Sequence, residues 1–262
     1  MARLLALDAI AREAGAAILE VYRGSFDVEL KDDRSPLTRA DLASHRIIRA
    51  RLAELEPALP QLSEEAAEIP YPERAAWSAY WLIDPLDGTK EFINRNGEFT
   101  VNIALIEAHY PALGVVHVPV SGVSYIGAAG VGCFRRHGET APVPIAVRKP
   151  AARPAVVVGS RSHANPDLAQ RLEAIGPHRL VSMGSSLKFC LVAAGEADFY
   201  PRLGPTSEWD TAAAQAVVEA AGGQVVTLDG RRLAYNTRES LLNPHFLVFG
   251  DASADWPSLM SG

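Results

Sequence analysis

Between Thr100 and Arg135 four strand-like runs follow one another closely: Thr100 to Ile106, Gly114 to Val120, Val123 to Ala128 and Gly132 to Arg135. Parallel neighbours need a dozen or more connecting residues, so gaps this short predict an antiparallel meander. Two helical segments come first. Met1 to Val21 has apolar positions at Leu4, Leu7, Ala11, Ala14, Ile18 and Val21 with Asp8, Arg12, Glu13 and Glu20 between them, the pattern of an amphipathic helix rather than a leader. The second carries Leu42, Ile47, Ile48, Leu52 and Leu55. Pro142, Pro144, Pro150 and Pro154 then punctuate a basic stretch, Arg148-Lys149 to Arg153, which reads as a join between a half spanning 1–147 and a half spanning 148–262. Beyond it, Val156 to Val158, a helix from Pro166, a helix over Ser186 to Ala194, an Ala-rich helix after Trp209 and Val225-Val226 alternate in the α/β manner. The expected fold class is α/β (α+β), with no internal repeat.

Bulk properties exclude several classes of function. The chain has 262 residues, 48% hydrophobic and 21% charged, enough to bury a large core and unlike a disordered segment. No apolar run reaches the roughly 18 to 20 residues that span a membrane. The two cysteines, Cys133 and Cys190, build no disulfide framework and suit a reducing cytoplasm as buried small hydrophobes. No basic stripe with interleaved aromatics is present, which argues against a nucleic-acid partner.

The stretch richest in chemistry is Tyr80-Trp81-Leu82-Ile83-Asp84-Pro85-Leu86-Asp87-Gly88-Thr89. Asp84 should emerge at the end of an apolar strand whose ladder Pro85 stops by removing a backbone donor. Asp84 and Asp87, three apart around the turn, can point at one hard cation, and magnesium prefers oxygen ligands. Gly88 lets backbone amides lie against an anion, and Lys90 to Ile93 can open a helix whose N-terminus favours negative charge. An Asp-Gly turn alone would be ordinary loop punctuation, but turn chemistry does not require the second carboxylate and the hydroxyl together. Phosphatases with a nucleophilic aspartate usually show Asp-x-Asp, whereas Pro85 and Leu86 separate this pair. That spacing favours water activated by a metal.

Further acids lie on both sides. Glu64 or Glu65 can leave a strand end beside Asp84, although adjacent glutamates are more often a solvated surface. Asp210 sits at the mouth of the Ala-rich helix that Gly222-Gly223 should terminate, where capping or the helix dipole would by itself explain an acid. Asp41 closes Thr38-Arg39-Ala40-Asp41, which has the form of a capping box. If Glu64, Asp84, Asp87 and Asp210 converge, the cluster must take up protons or bind cations. A phosphorylated substrate would also be repelled by a chain of formal charge −6 unless the site itself were positive, and bound magnesium reverses the local sign.

Glu64-Glu65, Asp84 to Thr89 and Trp209-Asp210-Thr211-Ala212-Ala213 resemble, in order and spacing, the three motifs of the lithium-sensitive, magnesium-dependent inositol monophosphatase superfamily. Within it the chain is most similar to bacterial 3′(2′),5′-bisphosphate nucleotidases of sulfate assimilation, which hydrolyse 3′-phosphoadenosine 5′-phosphate to AMP and phosphate. The likeness extends through Lys90 to Ile93, Asn96 to Leu105, Ser160 to His163 and Gly184 to Cys190. It implies the layered αβαβα sugar-phosphatase fold with two mixed or antiparallel sheets, and a site between the halves. It also implies that Glu64, Asp84 and the Leu86 carbonyl hold one magnesium while Asp84, Asp87 and Asp210 hold a second, with a third, weaker ion near Glu64. Thr89, engaged by Asp41, would orient the attacking water; for Asp41 only the resemblance, through Lys31 to Pro36, tilts capping towards catalysis. Gly88 and Thr89 amides would hold phosphoryl oxygens in an in-line displacement without a phosphoenzyme.

The resemblance places His163, Ser185, Lys188 and Arg202 around the adenosine and its 5′-phosphate; as bare sequence, Lys188 and Arg202 could equally be snorkelling surface cations. Glu208 stands where close relatives often carry a neutral residue, and would either repel a phosphate or face solvent. The resemblance implies a cytoplasmic enzyme and leaves open a loose attachment to the inner face of the cell membrane, and a monomer or a homodimer is compatible with the sequence. Three alternatives stand beside this reading: an inositol monophosphatase or fructose bisphosphatase, an aspartyl-phosphate phosphatase, and a non-catalytic sensor of metal or nucleotide.

Overall fold

Apolar alternation along the strands decides the layering. In the computed structural model, which describes residues 1–24, 28–30, 36–161, 171–172 and 175–260, the chain opens with helix α1 (Ala2–Arg23). A small antiparallel pair follows, β1 (Val28–Leu30) with β2 (Pro36–Thr38), and then α2 (Arg39–Leu55). The next elements are β3 (Gln61–Ser63), the one-turn α3 (Tyr71–Arg74), β4 (Ala79–Asp87) and α4 (Thr89–Ile93). Strands β5 (Thr100–Glu107), β6 (Tyr110–Val118), β7 (Val123–Ala128), β8 (Gly132–His137) and β9 (Val143–Ile145) form the expected meander.

The remainder carries β10 (Ala155–Ser160), β11 (His178–Met183), α5 (Leu187–Ala193), β12 (Phe199–Arg202) and α6 (Ala212–Ala220). It ends with β13 (Gln224–Thr227), β14 (Phe246–Phe249) and α7 (Trp256–Met260). Among the described residues the larger sheet has seven strands in the order β3-β4-β5-β6-β7-β8-β9, antiparallel except for the β3–β4 pair. The second has five in the order β11-β10-β12-β14-β13, with β10 parallel to both β11 and β12.

Both faces of the larger sheet are buried along β4 to β7, so these strands are apolar almost throughout, whereas β8 and β9 towards its edge carry exposed residues. Trp81, Ile83, Val101, Ile103, Leu105 and Val115 point to one face and pack with Leu4, Leu7, Ala14 and Ile18 of α1 and Ile48 and Leu52 of α2. Tyr80, Leu82, Ala104, Ile106 and Val116 point the other way, into a core with Phe189 and Val192 of α5, Ala213 and Val217 of α6, and Val156, Val158 and Val248 of the second sheet. The far face of that sheet holds Val157, Phe199, Leu247 and Phe249 against Trp256 and Met260 of α7. The sequence of layers is helix, sheet, helix, sheet, helix. The middle layer fits closely: a Cβ on Gly114 would lie 2.4 Å from the Ala213 carbonyl oxygen, and one on Gly127 2.8 Å from Val217 Cα. Only glycine lets α6 approach the meander so nearly.

Local expectations differ from the structure at three points, the first being that β6 runs from Tyr110 to Val118 rather than from Gly114 to Val120. Pro85 does not end β4; the strand continues to Asp87, and the ladder with β5 loses its register between Asp84 and Asp87 instead. The Ala-rich helix begins at Ala212, and Glu208 to Asp210 form a separate 3-10 turn before it. The helix expected from Pro166 lies outside the described residues.

Candidate active site

The break in register at the end of β4 is what brings the acids together. Asp84 still pairs with Asn102 of β5, and Asp87 is next in register with Thr100, so the residues between them form a bulge. Leu86 N donates to Asp84 Oδ1 at 3.0 Å, and Ser44 Oγ of α2 donates to the Pro85 carbonyl at 2.7 Å. The chain then passes through Gly88, in the left-handed region at φ 91°, where a Cβ would stand 3.2 Å from both the Glu98 carbonyl oxygen and Ser185 Cβ. Helix α4 starts at once, and Thr89 Oγ1 lies 3.5 Å from the Leu86 carbonyl oxygen.

Glu64 arrives from the adjacent strand. Because β3 runs parallel to β4, residue 64 leaves the sheet on the same side as Asp84, and Glu64 N donates to the Ile83 carbonyl at 3.1 Å. Asp210 arrives from the other half, in the 3-10 turn ahead of α6, where its Oδ2 accepts from Ser207 N at 2.8 Å. Carboxylate oxygens of Asp84, Asp87 and Asp210 all fall within 4.8 Å of one another. Glu64, Asp84, Asp87 and Asp210 line one cavity of about 280 Å³ with Leu86, Gly88, Thr89, Ser185, Lys188 and Arg202.

Burial holds the three aspartates away from their ordinary ionisation. Asp84, 1% exposed, is pushed well above the usual carboxylate range by desolvation first and then by Glu64, Asp87 and Asp210. Asp210 is half-buried beside the cavity, and desolvation, followed by Asp87 and Glu64, pushes it up to about 8. Asp87 is raised by desolvation too, opposed by the charge of Lys188 and by hydrogen bonds from Ser186 and Asn102. Lys188, buried against the Tyr200 ring at 5.6 Å, is brought down to about 8 chiefly by desolvation. An all-oxygen set of crowded acids with one buried cation nearby matches the donor chemistry of a hard divalent ion.

Other expected residues take the following places. Asp41 is 2% exposed and completes the capping box of α2, its Oδ2 accepting from Thr38 N at 2.8 Å and Thr38 Oγ1 at 2.6 Å. Ser44, one turn further along α2, seats that helix against the Asp84 to Thr89 turn. Lys188 Nζ donates to the Ser185 carbonyl, and Arg202 Nη2 donates to the Pro205 carbonyl at 2.6 Å at the cavity rim. Lys188 is therefore no snorkelling surface cation. His163 and the stretch Lys31 to Ser35 lie outside the described residues. Cys133 and Cys190 are both buried, as expected.

Glu208 corrects its expectation, since it neither faces a phosphate nor meets solvent. It is 2% exposed, and both its carboxylate oxygens accept from Asn236 N, at 3.0 and 2.9 Å. Desolvation raises it to about 7, opposed by the Asn236 hydrogen bonds and by Arg74. Arg74 in turn donates to Asn236 Oδ1, so the turn bearing Asp210 is fastened to α3. A second cavity, about 860 Å³, lies around Tyr110, Arg231, Arg232 and Arg238. It holds none of the clustered acids, and its arginines are engaged: Arg232 with Glu219, Arg231 with Asp229, Arg238 with the Leu242 carbonyl.

A fold of alternating layers with carboxylates from the end of the larger sheet and from the turn ahead of α6 around one cavity defines a class, and comparison with known proteins agrees. The model of the inositol monophosphatase family matches residues 3–252, and the chain belongs to that family. It is 51% identical over 241 residues to the 3′(2′),5′-bisphosphate nucleotidase CysQ of Salmonella typhimurium, covering 91% of this chain and 96% of that protein. Identity to the Escherichia coli K12 protein of the same name is 52%, with the same coverage. Among solved structures, CysQ from Bacteroides thetaiotaomicron superposes with a TM-score of 0.84 at 39% identity, covering 95% of this chain and 97% of that one. Thermotoga maritima IMPase, at 23% identity and a TM-score of 0.81 over 99% of this chain and 97% of that one, shares the fold.

Proposed function

We propose that this chain hydrolyses the 3′-phosphate of 3′-phosphoadenosine 5′-phosphate, giving AMP and phosphate, with magnesium as its cofactor. The observation that carries the reading is the convergence of Asp84, Asp87 and Asp210 in a cavity that Lys188 and Arg202 also line. Likeness to the CysQ nucleotidases over 91% of the chain supports the choice of substrate.

Glu64, Asp84 and the Leu86 carbonyl would hold one magnesium and Asp84, Asp87 and Asp210 a second, with a weaker third position at Glu64. Bound there, magnesium would act as a Lewis acid on phosphoryl oxygens and make water a stronger nucleophile. The remaining tasks belong to the chain. The Thr89 hydroxyl, with Asp41 behind it, orients a water in line with the bond to be broken. Gly88 and Thr89 amides hold the equatorial oxygens, so negative charge is met by donors already in place. The water oxygen bonds to phosphorus and gives up one proton as the bond from phosphorus to O3′ breaks; O3′ takes up one proton, so none is gained or lost overall, and configuration at phosphorus inverts. Ser185, Lys188, Arg202 and His163 receive the nucleoside and its 5′-phosphate, a group that an inositol monophosphate lacks.

Phosphate release measured on the two substrates, each with magnesium, with magnesium plus lithium, and with EDTA, tests this. Preference for the bisphosphorylated nucleoside, lost in EDTA and reduced by lithium, is the expected result. Equal or better turnover of inositol monophosphate would assign the chain to a different substrate.

A further inference from the structure

Ser186 is where the two acidic segments of the site are joined. It is 2% exposed, just ahead of α5, and lines the cavity beside the clustered carboxylates. Its amide donates to Asp87 Oδ2 at 2.6 Å, and its Oγ lies 2.8 Å from the same oxygen. That Oγ is also 2.6 Å from the backbone carbonyl oxygen of Asp210. Asn102 Nδ2 donates to Ser186 Oγ at 3.0 Å and reaches Asp87 Oδ2 at 3.4 Å, where Thr100 Oγ1 approaches to 3.4 Å as well.

Two consequences follow from this arrangement. Donors from β5 and from the start of α5 surround Oδ2 of Asp87, so the carboxylate cannot rotate freely and its other oxygen, Oδ1, is the one left to face a cation. A serine hydroxyl has a single proton, and the amide already serves Asp87, so that proton can be given to the Asp210 carbonyl. The same side chain thereby ties the 3-10 turn of Asp210 to the β4–α4 turn of Asp87, although these turns belong to different halves of the chain.

We infer that Ser186 is a positioning residue of the metal site, orienting Asp87 and holding the Asp210 turn at ligand spacing. This rests on the reading of Asp84, Asp87 and Asp210 as cation ligands. Sequence alone assigns Ser186 no role, although Ser185 and Lys188 beside it are expected around the nucleoside, because the turn that brings Asp210 to it is set only by tertiary packing.

Magnesium binding to the full chain, measured by isothermal titration calorimetry for wild type, Ser186→Ala and Ser186→Thr, tests the inference. Partners of metal ligands typically matter by 10- to 100-fold in affinity, and Ser186→Ala keeps the amide bond, so a loss of roughly tenfold is expected. The magnesium midpoint of phosphatase activity should move by the same factor, while KM for the nucleotide at saturating magnesium stays at the wild-type value. Ser186→Thr retains the hydroxyl and should recover most of the affinity. Wild-type magnesium affinity in Ser186→Ala overturns the inference, as does a change confined to nucleotide KM. If Ser186→Ala lacks the wild-type circular dichroism spectrum, Ser186→Cys, a weaker donor of similar size, carries the same expectation, and wild-type affinity there is equally fatal. A wild-type chain that binds no magnesium, and whose activity ignores it, defeats the ligand reading itself, whereas normal wild-type binding with unchanged variants defeats only the role of Ser186.

Discussion

Single residues carry the charge balance of the site. Lys188 is the buried cation facing the acids, and its second task in the proposed reaction is to meet the 5′-phosphate. Hydrogen bonds to charged groups contribute about 1.5–3 kcal/mol, so Lys188→Met should raise KM for the bisphosphorylated nucleoside by roughly ten- to a hundredfold. Turnover of a substrate without a second phosphate should change little, and steady-state kinetics on both compounds would show the contrast. Asp210 gives a pH prediction. Its ordinary value of 3.8 is raised to about 8 in the folded, metal-free protein, so between these values the native state binds a proton that the unfolded chain does not. The part of the metal-free protein's stability that Asp210 contributes therefore falls as pH rises from about 4 through about 8. Magnesium displaces the same proton, so its affinity should climb over that window. Melting temperatures in EDTA across pH 5 to 9, beside magnesium titrations at each pH, would reveal a failure of either trend.

At the scale of elements, the α2 N-terminus separates a structural from a chemical duty. Thr38 and Asp41 make a complete capping box, and loss of a cap hydrogen bond costs about 1 kcal/mol. Thr38→Ala should reduce stability by about that amount and leave kcat near wild type. Asp41→Asn should cost comparable stability yet lower kcat much further, since Asp41 is proposed to act through Thr89. Equal and small effects on kcat in the two variants would reduce Asp41 to a cap. Denaturant unfolding and kcat on the same preparations give both numbers. The elements themselves were unevenly legible. The meander from Thr100, the amphipathic α1 and the box at Thr38 carry their periodicity or cap chemistry in adjacent residues. The short β3 and the strand β11 do not: Gln61 to Ser63 is too brief for a pattern, and β11 mixes exposed with half-buried residues, having a neighbour on one side only among the described residues.

For the whole molecule, the site is a junction. Glu64, Asp84 and Asp87 leave the larger sheet, Asp210 precedes a helix packed between the sheets, and crowded acids oppose their assembly until a cation binds. Ligand binding to the native state alone stabilises it by about 2.7 kcal/mol at a hundredfold excess over Kd. Saturating magnesium should accordingly raise the melting temperature over that in EDTA, and Asp210→Asn should abolish most of the increase without lowering the metal-free melting temperature. A magnesium shift that survives Asp210→Asn would show that the second half contributes no ligand.

Residues close together along the chain encode the motifs, the closely spaced strands of the meander and the family to which the order of the motifs points. Tertiary structure alone decided how the acids meet and what surrounds them. The loss of register in β4, the burial of Glu208 under Asn236 and Arg74, and the grip of Ser186 on two distant turns depend on which segments pack side by side. No local pattern encodes that choice, since it is made by the summed burial of three layers rather than by any one stretch.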